Sequence, residues 1–139
     1  MLSILKPNKN TIPGGGHRRH IVTVLLQDYF HRGVFKQFIG EKQWRRFESR
    51  LGRDVEVTLN LFREYNIQAT FFALGWIADN YPEIIGRIAS EGHEIASAGY
   101  WAHSVREMTQ QQFREDLRRS RKALEKAGAN KIIGHRCAF

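Results

Sequence analysis

Polar and aromatic side chains that could take part in chemistry follow two of the apolar runs in this chain. Asp28 and Tyr29 come just after one run, and Trp101 and His103 come just after another. A carboxylate and an imidazole can hold a metal ion, and an aromatic ring can stack on a sugar. Each residue also has an ordinary structural explanation, because an aspartate after a strand often caps a loop and a buried aromatic often belongs to the core.

The elements that must position these residues follow from hydrophobic periodicity. Helical spacing of Val55, Leu59 and Phe62 predicts one helix, and Pro82 suits the first turn of another helix over residues 83–90. Strands alternating with helices predict right-handed βαβ units and a parallel sheet. Four apolar runs predict strands that are covered on both faces, at residues 21–26, 69–74, 93–97 and 131–134.

The last predicted helix combines a capping signal with a basic stripe. Thr109 and Gln112 have the spacing of a capping box, and an apolar stripe from Phe113 to Ala127 predicts the buried face. Acidic residues are interspersed with the basic ones, which favours a solvated, salt-bridged surface. The basic residues are Arg114, Arg118, Arg121 and Lys122, and the acidic ones are Glu115, Asp116 and Glu125.

Composition limits the size, charge and location of the protein. The 139 residues allow one domain, with 1–19 expected to be a flexible basic tail and 20–139 the folded part. Lys and Arg outnumber Asp and Glu by 22 to 14, so the net charge of +8 favours anionic partners. Cys137 is the only cysteine and no apolar run is long enough to span a membrane, so we expect a cytoplasmic protein.

Two stretches resemble the NodB-homology polysaccharide deacetylases, which form carbohydrate esterase family 4. They are QATFFALGW at residues 68–76 and GHEIASAGY at residues 92–100. The likeness runs from residue 21 to the C-terminus and is strongest to the branch found with bacterial exopolysaccharide loci. It implies an α/β fold with mainly parallel strands. Residues 20–139 would then form the N-terminal part of a distorted (β/α) barrel.

The resemblance also implies a divalent metal, zinc in the family, held by one aspartate and two histidines beside a base carboxylate. Asp28 matches the aspartate. Leu25 stands at the position of the base and Gln27 replaces a family glutamate. A leucine cannot accept a proton from water, so the base is missing.

The second family motif carries the two histidine ligands, and both are replaced here. Ala98 and Ala102 occupy those positions, and His103 lies one residue beyond the second. Asp28 and His103 are therefore the candidate metal ligands. They fall short of the three protein ligands that are usual for catalytic zinc, so we expect no tight metal binding by this chain.

Other family positions give candidate substrate contacts. Tyr29 follows the matched aspartate, Trp101 lies between the two replaced histidine positions, and Arg136 matches an arginine that orients the base in the family. Trp101 can stack on a sugar, although an aromatic residue after a strand belongs more often to the core. His93 matches a family histidine outside the metal site, which indicates a structural role.

The sequence leaves three candidate functions. The first is a metal-dependent N-deacetylase of poly- or oligosaccharides, and the second is a non-catalytic domain that binds a glycan or a partner such as a glycosyltransferase. A half barrel would also leave a sheet edge open for self-association. The third, a nucleic-acid binder, has the charge but no recognisable motif, so no nucleic acid is expected.

Overall fold

The computed structural model of the protein describes residues 20–31 and 33–137. The tail predicted at residues 1–19 lies outside these ranges. Short 3₁₀ turns lie at Tyr29–His31, Glu41–Arg46 and Val105–Glu107. The remaining elements are β1 (Val22–Leu26), α1 (Gly33–Lys36), α2 (Leu51–Glu64), β2 (Ala69–Ala73), α3 (Gly75–Asn80), α4 (Pro82–Ser90), β3 (Glu94–Ser97) and α5 (Gln110–Lys126).

The three strands form one parallel sheet in the order β1-β2-β3. Val24 lies opposite Phe71, and Phe71 lies opposite Ile95. Helices connect the strands, as is usual for the crossover between parallel neighbours. The predicted α/β fold with a partial parallel sheet is confirmed, and so are the first three predicted strands.

The fourth predicted strand, at residues 131–134, is wrong in extent and position. The structure has one isolated parallel bridge there, between Ser97 and His135. The N–H of Ile132 instead donates to the Glu125 carboxylate at 3.0 Å, and the Ile133 side chain is 80% exposed. This segment is therefore tied to the end of α5 before the chain reaches the sheet.

Full coverage of both sheet faces is also not found for β1. Thr23 is exposed, and Val24 and Leu25 are only half-buried. Within residues 20–31 and 33–137, β1 lies at an edge of the sheet and has β2 as its one neighbouring strand. Leu25 pairs with the half-buried Phe72 of β2, and residues paired in register project to the same face of a sheet. That face is only partly covered by the described residues.

The helices end and pack largely as the sequence predicts. Asn66, with φ of 53°, follows α2, and Phe62 of that helix packs on Phe71 of β2. In α5 the capping box is formed, because Gln112 N–H donates to Thr109 Oγ1 while Thr109 N–H donates to Gln112 Oε1. No helix within the described parts of the chain is long and apolar enough to cross a membrane.

Candidate functional site

The carboxylate of Asp28 lies at the carboxyl end of β1, where it braces the backbone. Asp28 is 3% exposed. Its Oδ1 accepts the N–H of Tyr29 at 2.9 Å and its Oδ2 accepts the N–H of Arg50 at 3.0 Å. Arg50 is the residue before α2, so the carboxylate joins the end of β1 to the start of that helix. These contacts agree with the structural explanation of Asp28, in which an aspartate after a strand caps a loop.

His31 is buried, although no sequence signal distinguishes it from solvated histidines. Its side chain is 1% exposed and packs against Phe30, Trp44 and Trp76 at ring-centroid distances of 4.4, 4.4 and 5.2 Å. Its Nδ1 accepts the N–H of Asp28 at 2.9 Å, so the neutral ring carries its proton on Nε2. Burial lowers the pKa of His31 to about 4, and the attraction of the Asp28 carboxylate only partly opposes this.

The positions that the resemblance gives to histidine ligands belong to the core in this chain. Ala98 and Ala102 are 3% and 2% exposed and lie in the main hydrophobic cluster. The N–H of Ala98 donates to the carbonyl of Ala73, which fixes it beside β2. The cavity next to Ala98 has a volume of about 10 Å³, roughly enough for a single water and not for an imidazole.

Helix α5 holds the loop that carries these alanines. The Asp116 carboxylate accepts the N–H of Tyr100 at 2.8 Å and the N–H of Trp101 at 3.2 Å. The Ser120 hydroxyl donates to the carbonyl of Gly99 at 3.0 Å and lies 2.8 Å from the Ser97 hydroxyl. Sequence reasoning gave neither Asp116 nor Ser120 a role in the site. The loop therefore owes its shape to protein hydrogen bonds.

The second candidate ligand, His103, has a partner other than Asp28. Its Nε2 contacts the carboxylate of Glu41, and its ring stacks loosely on Trp101 at 6.5 Å. Within residues 20–31 and 33–137, no group of three or more His, Cys, Asp or Glu side chains is arranged to hold a metal ion. The described residues thus do not fit the metal that the family resemblance implies.

A cavity of about 520 Å³ lies beside Trp101. The Arg119 guanidinium lies 3.6 Å from the centroid of the Tyr100 ring and 5.4 Å from that of Trp101. Aromatic surface combined with amide and charged groups suits a polar ring-shaped ligand such as a sugar. The lining residues are Trp101, His103, Glu107, Met108, Gln112, Glu115, Asp116 and Arg119.

The other two substrate candidates lie outside the lining of this cavity. Tyr29 is half-buried, and the Arg50 guanidinium lies 5.4 Å from its ring centroid. Arg136 is exposed, donates its backbone N–H to Ser97 and lies 5.8 Å from the Phe72 ring centroid. Of the three candidates, Trp101 alone borders this cavity.

Comparisons with known proteins agree on one family. Residues 47–139 match the sequence profile of polysaccharide deacetylases. A peptidoglycan-N-acetylglucosamine deacetylase from Bacillus cereus is 32% identical over 91 residues, which cover 63% of this chain and 31% of the relative. The chain thus spans about a third of that protein.

Solved structures share the fold. One from Mycobacterium smegmatis, described provisionally as a polysaccharide deacetylase, is 26% identical with a TM-score of 0.69, covering 85% of this chain and 42% of that one. A wild-type pseudoenzyme of carbohydrate esterase family 4 from Bacillus anthracis is 17% identical with a TM-score of 0.57, covering 58% and 29%. The second likeness concerns the fold alone. With a profile match over most of its length, the chain belongs to the polysaccharide deacetylase family.

Proposed function

We propose that this chain is a polysaccharide-binding member of the deacetylase family whose described residues do not hydrolyse N-acetyl groups. The observation that carries the proposal is the burial of Ala98 and Ala102 in the core, where the resemblance expects two histidine ligands. Asp28 supports it, because both of its carboxylate oxygens accept backbone N–H groups.

Leu25 adds an independent reason to doubt hydrolysis. Deacetylation needs a group that takes a proton from the attacking water, and such assistance is typically worth about 10²–10⁴-fold in rate. Leu25 is half-buried on the partly covered face of the sheet and offers no lone pair. Restoring metal ligands alone would therefore leave the reaction without its base.

The first experiment measures zinc binding by calorimetry and acetate release from chitooligosaccharide. The native chain should bind zinc no better than micromolar and should release no acetate. Appreciable turnover by the native chain would overturn the proposal. So would a tightly bound zinc coordinated by both Asp28 and His103.

Replacement of the two alanines tests whether the family geometry persists. In Ala98→His/Ala102→His, each imidazole must displace core neighbours, which costs about 1–3 kcal/mol per site. We expect a lower Tm than in the native chain, and zinc should raise the Tm of this variant alone because it binds the folded state. Acetate release should stay absent in this double variant, because Leu25 still stands at the position of the base. Leu25→Asp is then added to the double variant, and acetate release is measured again. A double variant without any response to zinc would mean that the loop lacks the family geometry.

Binding at the cavity beside Trp101 is tested with the neutral chitooligosaccharide. Trp101→Ala should weaken binding by about tenfold or more, because loss of a stacking aromatic removes both contact area and orientation. Tyr65→Ala is a suitable control, since Tyr65 is an exposed aromatic residue just after the end of α2. Equal effects of the two substitutions would place the glycan elsewhere. Tyr29 and Arg136 remain candidate contacts for a longer oligosaccharide.

The proposal extends to the setting in which the protein works. The stretches that resemble the exopolysaccharide-locus branch support an exopolysaccharide as the glycan and a glycosyltransferase as a partner. A single cysteine, Cys137, supports a cytoplasmic location. Co-purification from cells grown under exopolysaccharide-producing conditions, followed by fractionation, tests all three. Recovery in an extracytoplasmic fraction would contradict the location.

A further inference from the structure

The outward surface of α5 carries a row of cations at helical spacing. Arg114, Arg118, Lys122 and Lys126 follow one another at intervals of four residues, and all four are exposed. Each interval advances about 6 Å along the axis, so the row spans about 18 Å. We refer to these four residues as the cationic row. Like charges at this spacing destabilise an isolated helix, so the row carries a cost for folding.

The acidic residues of α5 leave the cationic row unpaired. Asp116 turns inward to the N–H groups of Tyr100 and Trp101. Glu115 accepts a hydrogen bond from Gln111, and Glu125 pairs with Arg121 at 2.9 Å. The expected salt-bridged face is therefore limited to that one pair. Within the described part of the chain, no hydrogen bond or ion pair engages the four cations of the row.

The charge of the described residues is concentrated on this helix. Six Lys or Arg and three Asp or Glu lie in α5, whereas the rest of the described ranges contain eleven of each. The net positive charge of the described region thus resides on α5. Such a one-sided distribution creates a local positive potential that attracts polyanions.

We propose that the cationic row binds the acidic groups of an anionic polysaccharide. This inference rests on the proposed glycan-binding function and specifies its ligand as acidic. The same helix lines the cavity beside Trp101 through Gln112, Asp116 and Arg119, so a chain leaving that cavity meets α5 at once. Carboxylates repeated along a polymer complement cations repeated along a helix.

Other polyanions fit this surface less well. None of the exposed large hydrophobic residues of the described region lies on α5, so the row has no apolar side chains to enter a bilayer. The one aromatic residue of α5, Phe113, is half-buried against His135. The cationic row therefore has no ring beside it to stack on nucleic-acid bases. DNA and anionic vesicles therefore serve as competing probes.

The experiment compares polygalacturonate with chitooligosaccharide as ligands of the full chain at 50 and 200 mM salt. The native chain should prefer the acidic polymer, and the preference should shrink at the higher salt because exposed charges are screened. The variant Arg114→Gln/Arg118→Gln/Lys122→Gln should bind polygalacturonate about tenfold more weakly. It should bind the neutral oligosaccharide as the native chain does.

Two matched variants serve as controls. Lys42→Gln/Arg46→Gln/Arg53→Gln removes the same charge from exposed residues outside α5, and its affinity should stay within about twofold of native. Arg114→Lys/Arg118→Lys keeps the charge and should keep binding. Circular dichroism establishes that each variant is folded.

Three outcomes would overturn the inference. The first is equal affinity for acidic and neutral glycans, and the second is an equal loss in the control triple variant. The third is binding of duplex DNA or anionic vesicles as tight as that of polygalacturonate, with the same dependence on the row. Failure of the neutral oligosaccharide to depend on Trp101 would contradict the proposed function instead, so the two failures are distinguishable.

Discussion

At the scale of single residues, His31 couples the stability of this fold to pH. The ring lies among aromatic side chains and is shielded from solvent, and its Nε2 has no acceptor among the described residues. Protonation would place a cation in the core and would also remove the lone pair on Nδ1 that accepts the N–H of Asp28. Burial also lowers the pKa of His93.

The sign of the pH effect follows from the pKa of about 4 in the folded protein against 6.5 in the unfolded chain. Between these values the unfolded state binds more protons, so stability is full above about pH 6.5 and falls as pH drops toward 4. Urea unfolding at pH 7.5 and pH 4.5 should differ by about 2–3 kcal/mol from this group. In His31→Asn, whose carbonyl can replace Nδ1 as acceptor, the difference should shrink. The exposed-site control His20→Asn should leave the difference between the two pH values unchanged. If His31→Asn also leaves it unchanged, the pH effect does not come from His31.

Asp28 offers a second prediction about one residue, which separates bracing from metal binding. Asp28→Ala leaves two backbone N–H groups without acceptors, at a cost of about 1–3 kcal/mol each. Urea unfolding in the presence of a chelator should therefore show a clear loss of stability. The exposed Asp54→Ala should unfold close to the native midpoint. If Asp28→Ala is as stable as native protein without metal, the bracing role is wrong.

At the scale of elements, α5 determines the shape of the loop after β3. Gly99 has φ of 91°, a conformation that favours glycine, and a Cβ there would lie 2.8 Å from the Asp116 carboxylate. The close approach lets that carboxylate reach two successive N–H groups. The loop and the helix therefore depend on each other.

Asp116→Ala should consequently destabilise the fold and weaken glycan binding together. Loss of both acceptors is expected to cost about 2–4 kcal/mol and to free Trp101 from its position beside the cavity. The neighbouring Glu115→Ala, whose carboxylate meets only an exposed glutamine, should change stability by less than about 0.5 kcal/mol. Thermal unfolding with chitooligosaccharide titration measures both effects. A native-like affinity of Asp116→Ala for chitooligosaccharide would show that the loop keeps its shape without its hydrogen bonds to Asp116.

Local sequence signals predicted the elements better than they predicted the site. The capping box at Thr109 and the proline in the first turn of α4 act within a few residues, so the sequence contains the whole signal. Asp28 meets Arg50 across 22 positions, and Tyr100 meets Asp116 across 16. Periodicity carries no information about such contacts. The fourth strand failed for a similar reason, because the Glu125 carboxylate competes for the N–H of Ile132.

At the scale of the whole molecule, the described part of the sheet ends in an edge strand. Among the described residues β1 has a neighbouring strand on one side only, and its Thr23 is exposed. The face that carries Leu25 and Phe72 is only half-buried. Edge strands present unpaired N–H and C=O groups that can pair with another chain. The described residues provide no charged side chain on β1 that would oppose such pairing.

We therefore predict that the chain self-associates through β1, to an extent that rises with concentration. Sedimentation velocity at about 10–200 µM should show growing oligomers for native protein. Thr23→Lys should shift the distribution toward monomer, because a charged side chain on an edge strand opposes the addition of a second strand. Asn130→Lys makes the same charge change at an exposed position away from the strand and should leave association unchanged. A native chain that stays monomeric would mean that the partly covered face and edge are stable in water without a partner. An equal response to both lysines would mean that association does not run through β1.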